Sequence, residues 1–193
     1  MAIKPILTVP HEILRKKSVE VVFDKKIREI SKELADTLFA KGNPKGVGLS
    51  APQIGKSKRL FVTWLASDPE DEPVPEDLQV FINPTYIEHS SEVTFGPDKD
   101  DPILEGCLSI PNFYGPVPRF EWVDIAYESV DKDGELISKT GRFAGFSARV
   151  IQHEFDHLEG ILFTDYSLKY DLPVYEFIGK KMKEINKELV KAF

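Results

Sequence analysis

Between Gly145 and Leu158 the apolar residues Ala148, Ile151, Phe155 and Leu158 recur at three- and four-residue steps, and the same stretch reads Gln152-His153-Glu154-Phe155-Asp156-His157. This spacing predicts a helix over 145–158, capped by Ser147 or Gly145, with its apolar stripe buried. Residues four apart lie one above the other on a helix. His153 and His157 can therefore offer two imidazoles to one metal ion while Glu154 stands beside the remaining position. The plainer reading, a run of solvated polar residues, fits poorly, because two unpaired histidines are costly in a largely buried helix.

A catalytic tetrahedral site takes three protein ligands and leaves one position open. The long pattern H-E-x-x-H-x-x-G-x-x-H begins with Gly160 but arrives at Phe163, so that extension fails. Glu176 and Glu184 are candidates, although they fall on a predicted helix whose charged face is explained by solvation. The other candidate is Cys107, within Glu105-Gly106-Cys107-Leu108-Ser109-Ile110-Pro111. A lone cysteine is ordinarily a small buried hydrophobe, so its flanks must decide.

With 193 residues, 41% of them hydrophobic, residues 1–193 are expected to form one domain. The net charge of −7 argues against a dedicated DNA- or membrane-binding surface. Much of that acidity is local, since residues 67–79 hold six acids, three prolines and no base and read as a solvated loop. No stretch approaches the roughly 18 apolar residues of a spanning helix, and the opening residues lack a signal-peptide core. A single cysteine suits a reducing cytosol. The expected location is cytoplasmic.

Asp24 to Gly42 reads as an amphipathic helix with Asp24 as N-cap and Gly42 as stop. The Gly/Pro-rich stretch 42–55 links it to a buried strand, Leu60 to Leu65. Val80-Phe81-Ile82, Tyr86-Ile87, Glu121 to Val130 and Glu135 to Thr140 read as short strands, the last two joined by a turn at Asp131 to Gly134. A final helix is expected from Leu172 to about Phe193, with Phe177, Ile178, Met182, Ile185 and Leu189 inward and five lysines outward. The fold class is α+β: antiparallel strands packed around a central metal-binding helix, with an N-terminal and a C-terminal helix.

Three blocks, Gly46-Val47-Gly48-Leu49-Ser50-Ala51-Pro52-Gln53-Ile54-Gly55, Glu105 to Pro111 and Gln152 to Gly160, stand in the order and spacing of the signature motifs of the peptide deformylases, and the chain resembles that family. A deformylase removes the formyl group from the initiator methionine of nascent polypeptides and releases formate. The resemblance implies that Cys107, His153 and His157 bind one divalent metal, usually Fe2+ in the cell and replaceable by Zn2+, Ni2+ or Co2+. It assigns the oxyanion to the Gln53 side-chain amide and the Leu108 backbone N–H. Glu154, beside the ligands and not among them, takes the water proton and passes it to the amine. The walls Gly46, Gly48 and Gly106 would hold an N-formylmethionyl peptide as an added strand, with Val47 and Val150 at its methionine pocket.

Glu105 and Arg119 match a structural ion pair in that family. Ser50 departs from its common alanine, adding a hydroxyl that can bond nearby backbone. His11 and His89 lie outside the motifs and are read as solvated. The lysines of the last helix are read as a solvated face, with a transient ribosome contact as the second reading. Two other functions compete: a zinc endopeptidase using only H-E-x-x-H, and a metal-free peptide- or ribosome-binding relative. The first lacks a third ligand, and the second should have lost a site residue.

Overall fold

The computed structural model describes residues 3–42, 45–66, 68, 71–98, 101–179 and 181–193. After a 3-10 turn at Glu12–Arg15, helix α1 spans Lys25–Phe39. Its start is fixed by Asp24, whose carboxylate accepts from the Ile27 N–H at 2.8 Å. Ile27, Ile30, Leu34 and Leu38 form its buried stripe. The predicted link at 42–55 is more than a link. It holds strand β1 (Gly48–Ser50), which pairs antiparallel with β2 (Leu60–Trp64), and a 3-10 turn at Ala51–Ile54 closed by left-handed Gly55.

Strand β3 (Leu78–His89) is continuous through Asn83-Pro84 and joins the two short strands expected at Val80-Phe81-Ile82 and Tyr86-Ile87. Asn83 takes a positive φ of 48°, and the register shifts between Ile82 and Thr85. Its side chain bonds both the N–H and the C=O of Val21, at 2.9 and 2.7 Å, so the kink stays tied to a neighbouring segment. Leu78 and Gln79, expected in the acidic loop, belong to β3 and pair with Trp64 and Thr63. Residues 67, 69 and 70 of that loop lie outside the described residues. Further along, Val74 accepts from the Trp64 indole at 2.8 Å and Glu72 pairs with Lys45.

The remaining strands are β4 (Val93–Thr94), β5 (Leu104–Cys107), β6 (Ile110–Pro116), β7 (Arg119–Phe120), β8 (Trp122–Val130) and β9 (Leu136–Ala144). The β8–β9 hairpin turns at Asp131 to Gly134 as expected, and β9 continues to Ala144. Helix α2 (Gly145–Glu159) follows at once. Its N-cap is Ala144, which makes no side-chain cap bond, rather than Ser147 or Gly145. Ala148, Ile151, Phe155 and Leu158 pack with Phe61, Phe81, Val123 and Ile125 of β2, β3 and β8. The expected stripe is therefore correct.

Helix α3 (Phe163–Tyr170) was not foreseen, and the expected helix 172–193 does not form. Asp171 ends α3 in the left-handed conformation, and Pro173 lacks the N–H that a helix would need. Beyond them run β10 (Tyr175–Ile178), β11 (Lys181–Glu184) and the short α4 (Lys187–Val190). The β10–β11 hairpin reverses at Gly179, where φ is 64°. Phe177, Ile178, Met182 and Leu189 are exposed rather than inward, and of the predicted apolar set Ile185 alone packs against a core cluster. Lys180 lies outside the described residues. Lys187 pairs with Asp171 and Lys191 with Glu188, and the continuous lysine-bearing helix behind the ribosome-contact reading is replaced by β10, β11 and α4.

Two main sheets result, ordered β1-β2-β3-β8-β9 and β11-β10-β6-β5, with a small β4-β7 pair. Strands β1 and β5 are edge strands. At the C-terminus of α2, Gly160 takes φ +74° and its N–H bonds back to Asp156 and His157. A Cβ there would lie 2.6 Å from the carbonyl oxygen of Arg15. Gly160→Ala combines a left-handed penalty with a backbone clash and should cost at least about 2 kcal/mol, read as a lower urea midpoint with unchanged m-value.

Candidate metal centre and cleft

Helix α2 projects His153 and His157 from successive turns, and β5 ends at Cys107 beside them. The sulfur of Cys107 and one nitrogen of each histidine lie within 4.8 Å of one another, close enough to hold one metal ion. Cys107 Sγ is 3.2 Å from His157 Nε2. His153 Nδ1 is taken by Glu105 Oε2 at 3.0 Å, which leaves Nε2 for the shared point. His157 Nδ1 is buried without a partner. One thiol and two imidazoles suit a transition metal, so the donor set fits such an ion. Glu176 and Glu184 sit on the β10–β11 hairpin and take no part, while Phe163 is buried in the apolar cluster that also includes Cys107.

Glu105 is the hub. Arg119 donates to both of its oxygens, at 2.9 and 2.8 Å, and Arg149 adds a bond of 2.8 Å. Burial works to raise the pKa of Glu105, but the charge and hydrogen bonds of Arg119, with those of His153, outweigh it and hold the carboxyl well below the usual range. Arg119 also donates to Asp156 at 2.6 Å, and Tyr166 donates to the other Asp156 oxygen at 3.1 Å. The expected Glu105–Arg119 pair is present. Sequence reasoning missed Arg149, Asp156 and Tyr166, although Asp156 stood inside the H-E-x-x-H run.

A cavity of about 340 Å³ opens over this centre, walled by Gly46–Gly48 on one side and Leu104–Leu108 on the other. Both walls belong to the edges of their sheets. Val150 and Phe146, one helical turn apart on α2, also line it. Gly48 has a specific reason to be glycine: a Cβ there would lie 2.5 Å from Glu154 Oε1. Gly46 leaves room for Leu38 and Leu108, and Gly106 for the ring of Tyr114. These glycines thus accommodate side chains of the protein itself as well as bordering the cavity. Gln53, from the 3-10 turn after β1, directs Nε2 toward Ser109 Oγ at 3.2 Å and Cys107 Sγ at 3.6 Å.

Glu154 is buried against Gly48, and its Oε2 has no partner. Burial pushes its pKa up to about 7, against the opposing effects of His153 and the Ser50 hydroxyl. The raised value means that the folded metal-free chain holds a proton which the unfolded chain releases near 4.5. Stability from this group is therefore present below about pH 4.5 and is lost as pH rises toward 7. In metal-free protein, Glu154→Gln should raise the melting temperature at pH 8 and change it little at pH 5. Equal effects at both pH values would contradict the shift.

The family described as polypeptide deformylase matches residues 3–171. A peptide deformylase of Thermomicrobium roseum is 39% identical over 166 residues, covering 86% of each chain. One of Helicobacter hepaticus is 36% identical over 189 residues, covering 97% of this chain and 94% of its own. Among solved structures, a probable peptide deformylase from synechococcus phage S-SSM7 superposes with a TM-score of 0.68 at 36% identity, covering 83% of this chain and 97% of its own. The Met-Ala-Ser-bound class I type b peptide deformylase of Acinetobacter baumannii gives 0.68 at 30% identity, covering 86% of this chain and 99% of that one.

Proposed function

The chain belongs to the peptide deformylase family, metal-dependent hydrolases that remove the formyl group from nascent polypeptides, and we propose how its own residues divide that task. The observation that carries the proposal is the meeting of Cys107, His153 and His157 within 4.8 Å, beside Glu154 and between two sheet edges. Residues 1–193 act as one catalytic domain with 67–79 as an insertion, its strands arranged around α2 as the central metal-binding helix.

Cys107, His153 and His157 hold one divalent ion, Fe2+ in the cell, with Zn2+, Ni2+ or Co2+ able to replace it. When bound, the ion supplies Lewis-acid polarisation and lowers the pKa of water at the site. The enzyme works in the cytoplasm, where nascent chains emerge and a lone thiolate ligand stays reduced. The formylmethionyl peptide lies between β1 and β5, pairing with the edge groups of Gly46, Gly48 and Gly106. The Met-Ala-Ser complex of the Acinetobacter relative supports a peptide in this cleft. The methionine side chain lies against Val47 and Val150.

Glu154 removes the proton of the attacking water and delivers it to the amine nitrogen as the C–N bond breaks. As the formyl oxygen gains charge, it accepts from the Gln53 amide and the Leu108 backbone N–H. Glu105 keeps His153 in the tautomer that leaves Nε2 free.

Purified protein should release formate from a formyl-methionyl peptide and leave internal peptide bonds intact, which separates deformylation from endopeptidase and pure binding functions. Glu154→Gln should keep metal occupancy near that of the parent while turnover falls by about 10²–10⁴. Loss of the metal in that variant would refute the assignment of Glu154 as base. Cys107→Ser should bind metal weakly, since a neutral hydroxyl is a far poorer ligand than a thiolate. Full-strength binding would remove Cys107 from the ligand set.

A further inference from the structure

Ser50 is the last residue of β1, fully buried, and immediately precedes the 3-10 turn that carries Gln53. Its backbone N–H donates to Gln53 Oε1 at 2.8 Å, and its hydroxyl is 3.0 Å from the same oxygen. A backbone N–H can only donate, so this contact fixes which end of the amide is oxygen. The NH2 end must then point away from Ser50, toward Ser109 Oγ and Cys107 Sγ.

We propose that Ser50 is a positioning residue for the deformylation reaction, its hydroxyl locking the Gln53 amide with the NH2 group aimed at the site of the developing oxyanion. The inference rests on the reading of Gln53 as an oxyanion donor. The terminal torsion of glutamine is broad, so a single contact leaves the amide plane free to swing. Two donors converging on Oε1 restrict it more tightly. A donor fixed in advance stabilises developing charge without having to reorganise as the reaction proceeds. The hydroxyl never needs to touch the substrate.

Ser50→Ala removes one neutral hydrogen bond, so kcat should fall about three- to tenfold with KM within about twofold and metal content unchanged. In a Gln53→Ala background the same substitution should have no further effect on kcat. In the metal-free protein, the two Gln53 side-chain amide protons should broaden or exchange faster in 1H–15N spectra of Ser50→Ala than in the parent. An unchanged kcat in Ser50→Ala, with Gln53→Ala strongly impaired, overturns the inference and leaves the role of Gln53 standing. Equal losses in both backgrounds, or loss of metal from Ser50→Ala, also overturn it, because the hydroxyl, which also faces Glu154, would then act through that carboxylate or the metal centre instead of Gln53. Parental turnover in Gln53→Ala would instead refute the oxyanion role of Gln53, on which the inference depends.

Discussion

One buried carboxylate holds the centre together. Glu105 accepts two bonds from Arg119 and one from Arg149, and it orients His153. Taking such charges out of water costs several kcal/mol per ion, so the cluster is a poor source of stability in itself. Its value is geometric. Arg119 ties β5 through Glu105 to α2 through Asp156, and Arg149 reaches from α2 to the carbonyls of Val117 and Thr94. The strand carrying Cys107 and the helix carrying the histidines are thus fixed to each other by directional bonds rather than by apolar contact alone.

That fixed relation leaves a cleft between the two sheets. Because β1 and β5 are edge strands, each presents backbone groups to the cavity that its own sheet does not use. An exposed edge invites pairing with another chain, and here the invitation opens beside the candidate metal centre. The same helix closes the base of the cleft. Gln152 clamps the backbone N–H and C=O of Phe120, both at 2.9 Å, and so holds β7, which begins with Arg119, against α2. The residue just before the first histidine is therefore a brace for the arginine that serves Glu105.

The helical pair His153/His157 was legible because i and i+4 on an apolar stripe have one simple solution. Cys107 was harder. Its own surroundings suggest a core thiol, and only its flanking residues raised it above Glu176 and Glu184. The C-terminal segment misled because Phe177, Ile178, Met182, Ile185 and Leu189 imitate a helical stripe, whereas Asp171, Pro173 and Gly179 set the backbone against a helix. Local backbone limits prevailed over side-chain periodicity. Strand β1 was missed for a related reason: three residues between glycine and proline carry almost no pattern, and the strand exists because β2 offers it a partner. The strands at 80–82 and 86–87 were read apart, since nothing in sequence shows that the Asn83 side chain will reach across to Val21 and carry one strand through the gap.

Strand β1 also explains why its sequence is so constrained for its length. Gly48 must lack a side chain because Glu154 occupies that space, and Ser50, two residues on, faces the same site and fixes Gln53. Alternate residues of a strand share a face, so one three-residue segment places the carboxylate and the amide on the same side of the cleft. Leu49, between them, points the other way into the cluster formed with Ile27, Ile30 and Leu34 of α1. The packing of α1 therefore bears directly on the chemistry. A shift of β1 along β2 by one residue would turn Leu49 into the cleft and withdraw both polar contacts, so the register Gly48↔Thr63 is a condition for the site and not merely for the sheet.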